Sequence, residues 1–134
     1  MKLSELKTLG SKIKKAIRTK EGYEVLDSFG GQLWDEGGCW VLAHAIKKEF
    51  GGELYAIVFG DDIAQHVVVK FKDLGYLDGD GFQTEDKLSL RWFKNFKSAP
   101  ELIPLEYSVD DEILCDRSAI RKVQELLRKK IKNS

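Results

Sequence analysis

"ELYAIVFGDDIAQHVVVKFKDLGYLD", Glu53–Asp78, carries the reading that decides the fold. "ELYAIVF" and "QHVVVKF" are rich in β-branched and aromatic residues, and "GDDIA" between them reads as the connection of a hairpin. After "KDL" a third, shorter strand, "GYLD", returns alongside the second. A direct pairing of these two would centre their turn on Lys72, whereas the turn glycine is Gly75. A bulge or a longer loop would reconcile the two.

Helical patterns surround this run. Upstream, a helix is predicted to begin near Gly38 or Cys39 and to stop at Gly51 and Gly52, since glycine is favoured just past a helix end. Cys39, Leu42, Ala43, Ile46 and Phe50 would face the core, and Lys47, Lys48 and Glu49 would face water. Further upstream, Leu3, Leu6, Leu9, Ile13 and Ile17 recur at helical spacing with lysines between them, which predicts an amphipathic helix weakened at Gly10. Gly22 and "SFGG" read as a turn region.

Downstream, "TEDKLSLRWFKNF" reads as a helix with Thr84 as its N-cap and Glu85 and Asp86 in the first turn. Trp92, Phe93 and Phe96 would be core. "SAPELIPLEYS" holds both prolines and reads as irregular chain or an edge strand. Ile120, Val123, Leu126, Leu127 and Ile131 mark a last helix over about 116–132. The order is two helices, three strands, a helix, a loop and a helix. That is an α+β domain with a small antiparallel sheet.

With 134 residues, 43% hydrophobic and 33% charged, the chain suits one domain over 1–134, with flanking helices at 2–19 and 116–132. Twenty-two basic residues balance twenty-two acidic ones, so the charge gives no reason to expect nucleic acid as a partner. "MKLSELKTLG" lacks the continuous apolar core of a signal peptide, and no apolar run reaches bilayer length. Cys39 and Cys115 are then expected as reduced thiols in a cytoplasmic protein.

The chemistry centres on Cys39, His66 and Asp78. A thiol becomes a strong nucleophile as the thiolate, and a helix start favours the anion. An imidazole in reach can take the proton and pass it to a leaving group. A carboxylate beyond the imidazole fixes its tautomer. Cys39 falls at a helix start behind glycines, His66 near the start of a strand, and Asp78 where the next strand returns. Asp35 and Glu36 stand close to the thiol, and their charge opposes a thiolate, so activation must come from His66.

His44 falls about 140° round the helix from Cys39 and reads as a surface or packing residue. Cys115 has no histidine near it in sequence and reads as structural. "DGDGFQTEDK" has Gln83 where a calcium loop needs glycine and Ser89 where it needs glutamate. No zinc-type spacing and no phosphate-binding loop is present, so no metal or cofactor is expected.

"GGCW" opening a helix, then "QHVVVKF", then "GYLDGDG" leading into "QTEDKLSLRW", resembles the papain-like cysteine peptidase superfamily in its small bacterial or phage form. The resemblance runs from about Gln32 to Trp92, within a core of about 32–108. It implies a minimal papain-like core, a nucleophile helix packed on the antiparallel sheet. Cys39 would be the nucleophile, His66 the general base and acid, and Asp78 the orienting residue. Gln32, Gly38 and Trp40 would line the oxyanion and substrate side. Gln32 lies seven positions before Cys39, one more than the family commonly shows, so "LWDEGG" must absorb an insertion. The backbone N–H of Cys39 is the expected oxyanion donor ahead of Gln32, since helix-start amides are free to bind a developing oxyanion.

The resulting expectation is a thiol hydrolase that cleaves an amide or isopeptide-type acyl bond of a protein or peptide through a Cys39 thioester. Peptidases, deamidases, de-conjugating enzymes and acyl transferases share that chemistry. The competing expectation is a non-catalytic binding or inhibitor protein of phage or mobile-element type, an immunity or toxin-neutralising domain among its forms, on a papain-like scaffold.

Overall fold

The structure, a computed structural model, describes residues 1–30, 33–34, 38–60, 64–96, 100–105 and 117–132. It is an α+β fold: α1 (Leu3–Ile17), α2 (Lys20–Ser28), α3 (Gly38–Phe50), β1 (Glu53–Val58), β2 (Ala64–Phe71), β3 (Gly75–Asp78), β4 (Gly81–Gln83), α4 (Glu85–Phe96), β5 (Glu101–Pro104) and α5 (Arg117–Leu127). A π-helical turn, Arg128–Lys132, continues α5. No described helix is long and apolar enough to cross a membrane.

The strands form one antiparallel sheet in the order β4-β3-β2-β1-β5. β5 is the edge strand that "ELIP" suggested, with Pro104 opposite Tyr55. The β2–β3 turn settles the Lys72 question. Phe71 pairs with Gly75, the Leu74 N–H donates to the Phe71 carbonyl at 3.1 Å, and Lys72 takes φ 51°. Val69 then faces Leu77, and continuing the ladder puts Val68 opposite Asp78 with His66 on the diagonal of the same face. On the other side of β2, Ile57 faces His66 but Val58 faces Ala64, which leaves Gln65 as an extra residue in a β-bulge. Bulges re-aim the side chain next to them, here His66.

Alternation along the strands builds two cores. Leu54, Val67, Val69, Phe71 and Leu77 pack with Leu6, Ile13, Leu42, Ile46 and Val123 of α1, α3 and α5. Ile57, Val68 and Tyr76, on the opposite face, pack with Leu88 and Trp92 of α4. Each fully buried large aliphatic side chain is worth about 2 kcal/mol of transfer free energy.

Several expectations change. Gly22 lies inside a helix, α2, rather than in a turn. Thr19 caps that helix, its Oγ1 accepting from the Gly22 N–H at 3.0 Å. A Cβ at Gly22 would come within 2.4 Å of the Ile17 carbonyl oxygen, so glycine serves close approach here. α1 runs unbroken through Gly10, and glycine serves close approach there too. A Cβ there would sit 2.5 Å from the Phe82 nitrogen, where α1 crosses β4. Phe93 is 47% exposed instead of core, and the Phe96 side chain lies outside the described residues.

Glu49 does not face water. Its side chain is 3% exposed and is held by Arg128 Nε at 2.8 Å, Lys132 Nζ at 2.9 Å and Gln124 Nε2 at 3.0 Å. Those partners come from α5 and the turn after it, which clamp the C-terminal end of α3.

Candidate active site

α3 begins at Gly38 because the chain there must pass close to its neighbours. A Cβ on Gly38 would meet the Leu33 carbonyl oxygen at 2.7 Å and the Leu26 side chain at 2.9 Å. Cys39 follows in the first turn, a free thiol that is 3% exposed. The start of α3, the start of β2 and the end of β3 converge at one end of the sheet.

There His66 is fully buried, and its Nε2 lies 2.9 Å from Asp78 Oδ2. With Nε2 committed to the carboxylate, Nδ1 has no aligned hydrogen bond. The Cys39 thiol also lies near enough to the ring to help hold the imidazolium. Burial alone would push the pKa of His66 down. The hydrogen bond that His66 donates to Asp78, with the neighbouring thiol, outweighs it and raises the pKa to about 9. The Trp92 indole stacks on the imidazole, with ring centroids 4.8 Å apart and planes 27° off parallel.

Asp78 is saturated. Its Oδ1 accepts from the Asp80 N–H at 2.8 Å and Gln83 Nε2 at 3.0 Å, and its Oδ2 accepts from His66 and from Arg91 Nη2 at 3.2 Å. Burial would raise its pKa, but the bond to His66, the Arg91 charge and the Asp80 amide hold it below the ordinary carboxylate range. Asp78 is therefore an anion, and with His66 protonated the pair carries no net charge into the interior.

The structure thus brings Cys39, His66 and Asp78 together. Gly38 stands beside the thiol, and Trp40 follows it half-buried on α3. Gln32 lies outside the described residues, as do Asp35, Glu36 and Cys115. His44 is a packing residue, 3% exposed, with its Nδ1 2.7 Å from the Trp40 carbonyl. A cleft lined by Arg18, Tyr23, Leu26, Leu33, Trp34 and Gly79 borders the site at both ends, since Leu26 and Leu33 touch Gly38 and Gly79 follows Asp78.

Sequence reasoning missed Gln83, Arg91 and the stacking of Trp92. The β3–β4 turn and the first three turns of α4 bring these residues back onto Asp78 and His66. The one available signal was the run "DGDGFQTEDKLSLRW", in which polar residues recur after Asp78 on a segment that must fold back on it. Comparison with family models, with curated proteins and with solved structures finds no match for the chain.

Proposed function

We propose that the chain is a thiol hydrolase that cleaves an amide or isopeptide-type acyl bond of a protein or peptide. One observation carries the reading: a single buried imidazole stands between an ionised carboxylate at 2.9 Å and a thiol in the first turn of a helix. A purely structural histidine gains little from that arrangement, because burying three ionisable groups costs more than burying apolar ones. The order and context of the three residues, with their resemblance to papain-like enzymes, support the same reading.

In the first step Cys39 Sγ attacks the acyl carbon while His66 holds the thiol proton. The developing oxyanion takes hydrogen bonds from helix-start amides, the Cys39 N–H among them. The carbon–nitrogen bond breaks, His66 gives its proton to the leaving amine, and a thioester remains. Water then attacks the thioester, His66 takes a proton from it, and the acid product leaves as the thiol is restored.

The burial of Cys39, 3% exposed, favours the second reading, a non-catalytic binding protein that keeps the site as a buried relic. Alkylation of Cys39 by iodoacetamide between pH 5 and 9, followed by mass spectrometry in a Cys115→Ser background, separates the two. The hydrolase reading expects reaction to persist near pH 6, where an ordinary thiol of pKa about 8.5 is nearly inert, and to collapse in His66→Ala. A Cys39 that stays inert at every pH, or reacts identically without His66, sinks it.

A further inference from the structure

Arg91 reaches two of the groups that hold the imidazole, Asp78 and Trp92. Its Nη2 donates to Asp78 Oδ2 at 3.2 Å, and its Nη1 donates to Gln83 Oε1 and to Asp80 Oδ2, each at 2.9 Å. The bond to Gln83 fixes that amide. With its oxygen held by a guanidinium, only its nitrogen can face Asp78, and it does so at 3.0 Å. The guanidinium carbon also lies 5.5 Å from the centre of the Trp92 ring, which stacks on His66. A planar fork with five donors can serve three acceptors and a ring at once, and a lysine ammonium cannot.

Building on the hydrolase reading, we propose that Arg91 is the positioning residue of the site, bracing Asp78 directly and through Gln83, and His66 through Trp92. It acts through these neighbours and touches no reacting atom. The titratable and charged groups around the pair are few among the described residues: Cys39 from α3 faces His66, Arg91 from α4 faces Asp78, and Asp80 bridges Arg91 to Arg18, the residue that follows α1. Among the described residues, removing Arg91 takes away the only cation in direct contact with Asp78 besides His66. Asp78 then gains a proton at higher pH, His66 loses its anion, and the acid side of the reactivity profile moves up.

The test is the Cys39 alkylation profile for the wild type, Arg91→Gln and Arg91→Lys, all in the Cys115→Ser background, with thermal unfolding of each. Loss of a contacting opposite charge moves a carboxylate by about one pH unit or more. Arg91→Gln should accordingly shift the acid limb up by about one pH unit, which slows alkylation by about tenfold at pH values well below the midpoint of the limb. Arg91→Lys keeps the charge without the fork. It should restore most of the limb position and leave a lower rate across the profile. Because Arg91 is 29% exposed at its side chain, both variants should remain folded.

Two results overturn the inference alone: an unmoved acid limb in a folded Arg91→Gln, or a shifted limb whose position Arg91→Lys does not restore. If the wild type itself shows no His66-dependent reactivity, the hydrolase reading fails and this inference with it.

Discussion

Glu49→Gln tests how the last helix is tied to the helix that carries Cys39. Burial alone would raise the pKa of Glu49. The bonds from Arg128, Lys132 and Gln124 overcome that and lower it from the ordinary 4.5 to about 2. A drop of that size corresponds to about 3 kcal/mol of stability at neutral pH. The groups covering the carboxylate are themselves open to water, however. The side chains of Arg128 and Lys132 are 55% and 43% exposed. Screening at such sites cuts the effective value to about 1–2 kcal/mol.

The sign follows from the direction of the shift. A carboxylate with a depressed folded-state pKa stabilises the protein above pH 4.5, and the contribution fades as pH falls from there toward 2. Glutamine keeps the shape and, with its oxygen in the place of Oε1, the Gln124 bond, while the charge and the acceptor for Lys132 Nζ are lost. Urea unfolding followed by tryptophan fluorescence should show Glu49→Gln less stable by about 1–2 kcal/mol at pH 7, or roughly 3–6 °C in Tm. The gap should close steadily between pH 4.5 and about 2. A gap of the same size at both ends would refute the electrostatic account, and no gap at pH 7 would refute the clamp itself.

Two further outcomes follow from the packing and from the buried pair. Gly10→Ala would push a methyl to 2.5 Å from the Phe82 backbone nitrogen, so thermal unfolding should record a loss of about 1–3 kcal/mol, against the usual gain from alanine in a helix. His66, raised to about 9, stabilises the fold fully below its ordinary 6.5 and loses that contribution as pH rises through 9; denaturation at pH 6 and pH 10 should show a fall that His66→Ala lacks, and equal falls in the two proteins would count against the pair.

The sheet was legible because its signals are local. "ELYAIVF", "QHVVVKF" and "GYLD" announce strands by composition, and β1, β2 and β3 lie where they suggest. The Gly38–Phe50 helix was legible from its glycine borders. α2 was not, because Gly22 looks like a turn until Ile17 is seen to press against it. Thr19 with Glu21 in the following turn was the available clue. Glu49 escaped for another reason. Its partners lie 75 or more positions away, and nothing in a helical pattern distinguishes a solvated glutamate from a clamped one.

At the candidate site, Cys39, His66 and Asp78 could be singled out by type, order and context. Their register could not, since it depends on the Phe71–Gly75 pairing and on the bulge at Gln65. Arg91 and Gln83 stayed hidden because each is an ordinary polar residue on its own element. Only the fold-back of α4 shows that both belong to one carboxylate.

The turn at Lys72–Leu74 sits at the end of β2 remote from His66, roughly 17 Å along the strand at about 3.4 Å per residue. Yet it sets which face of the sheet receives Asp78. Side chains alternate, so slipping β3 by one residue against β2 would turn Asp78 away from His66 and bring Leu77 or Gly79 toward it. The insertion tolerance of the site is thus decided at a surface turn that touches none of its residues. A length change there of one residue should cost more function than many substitutions beside the thiol.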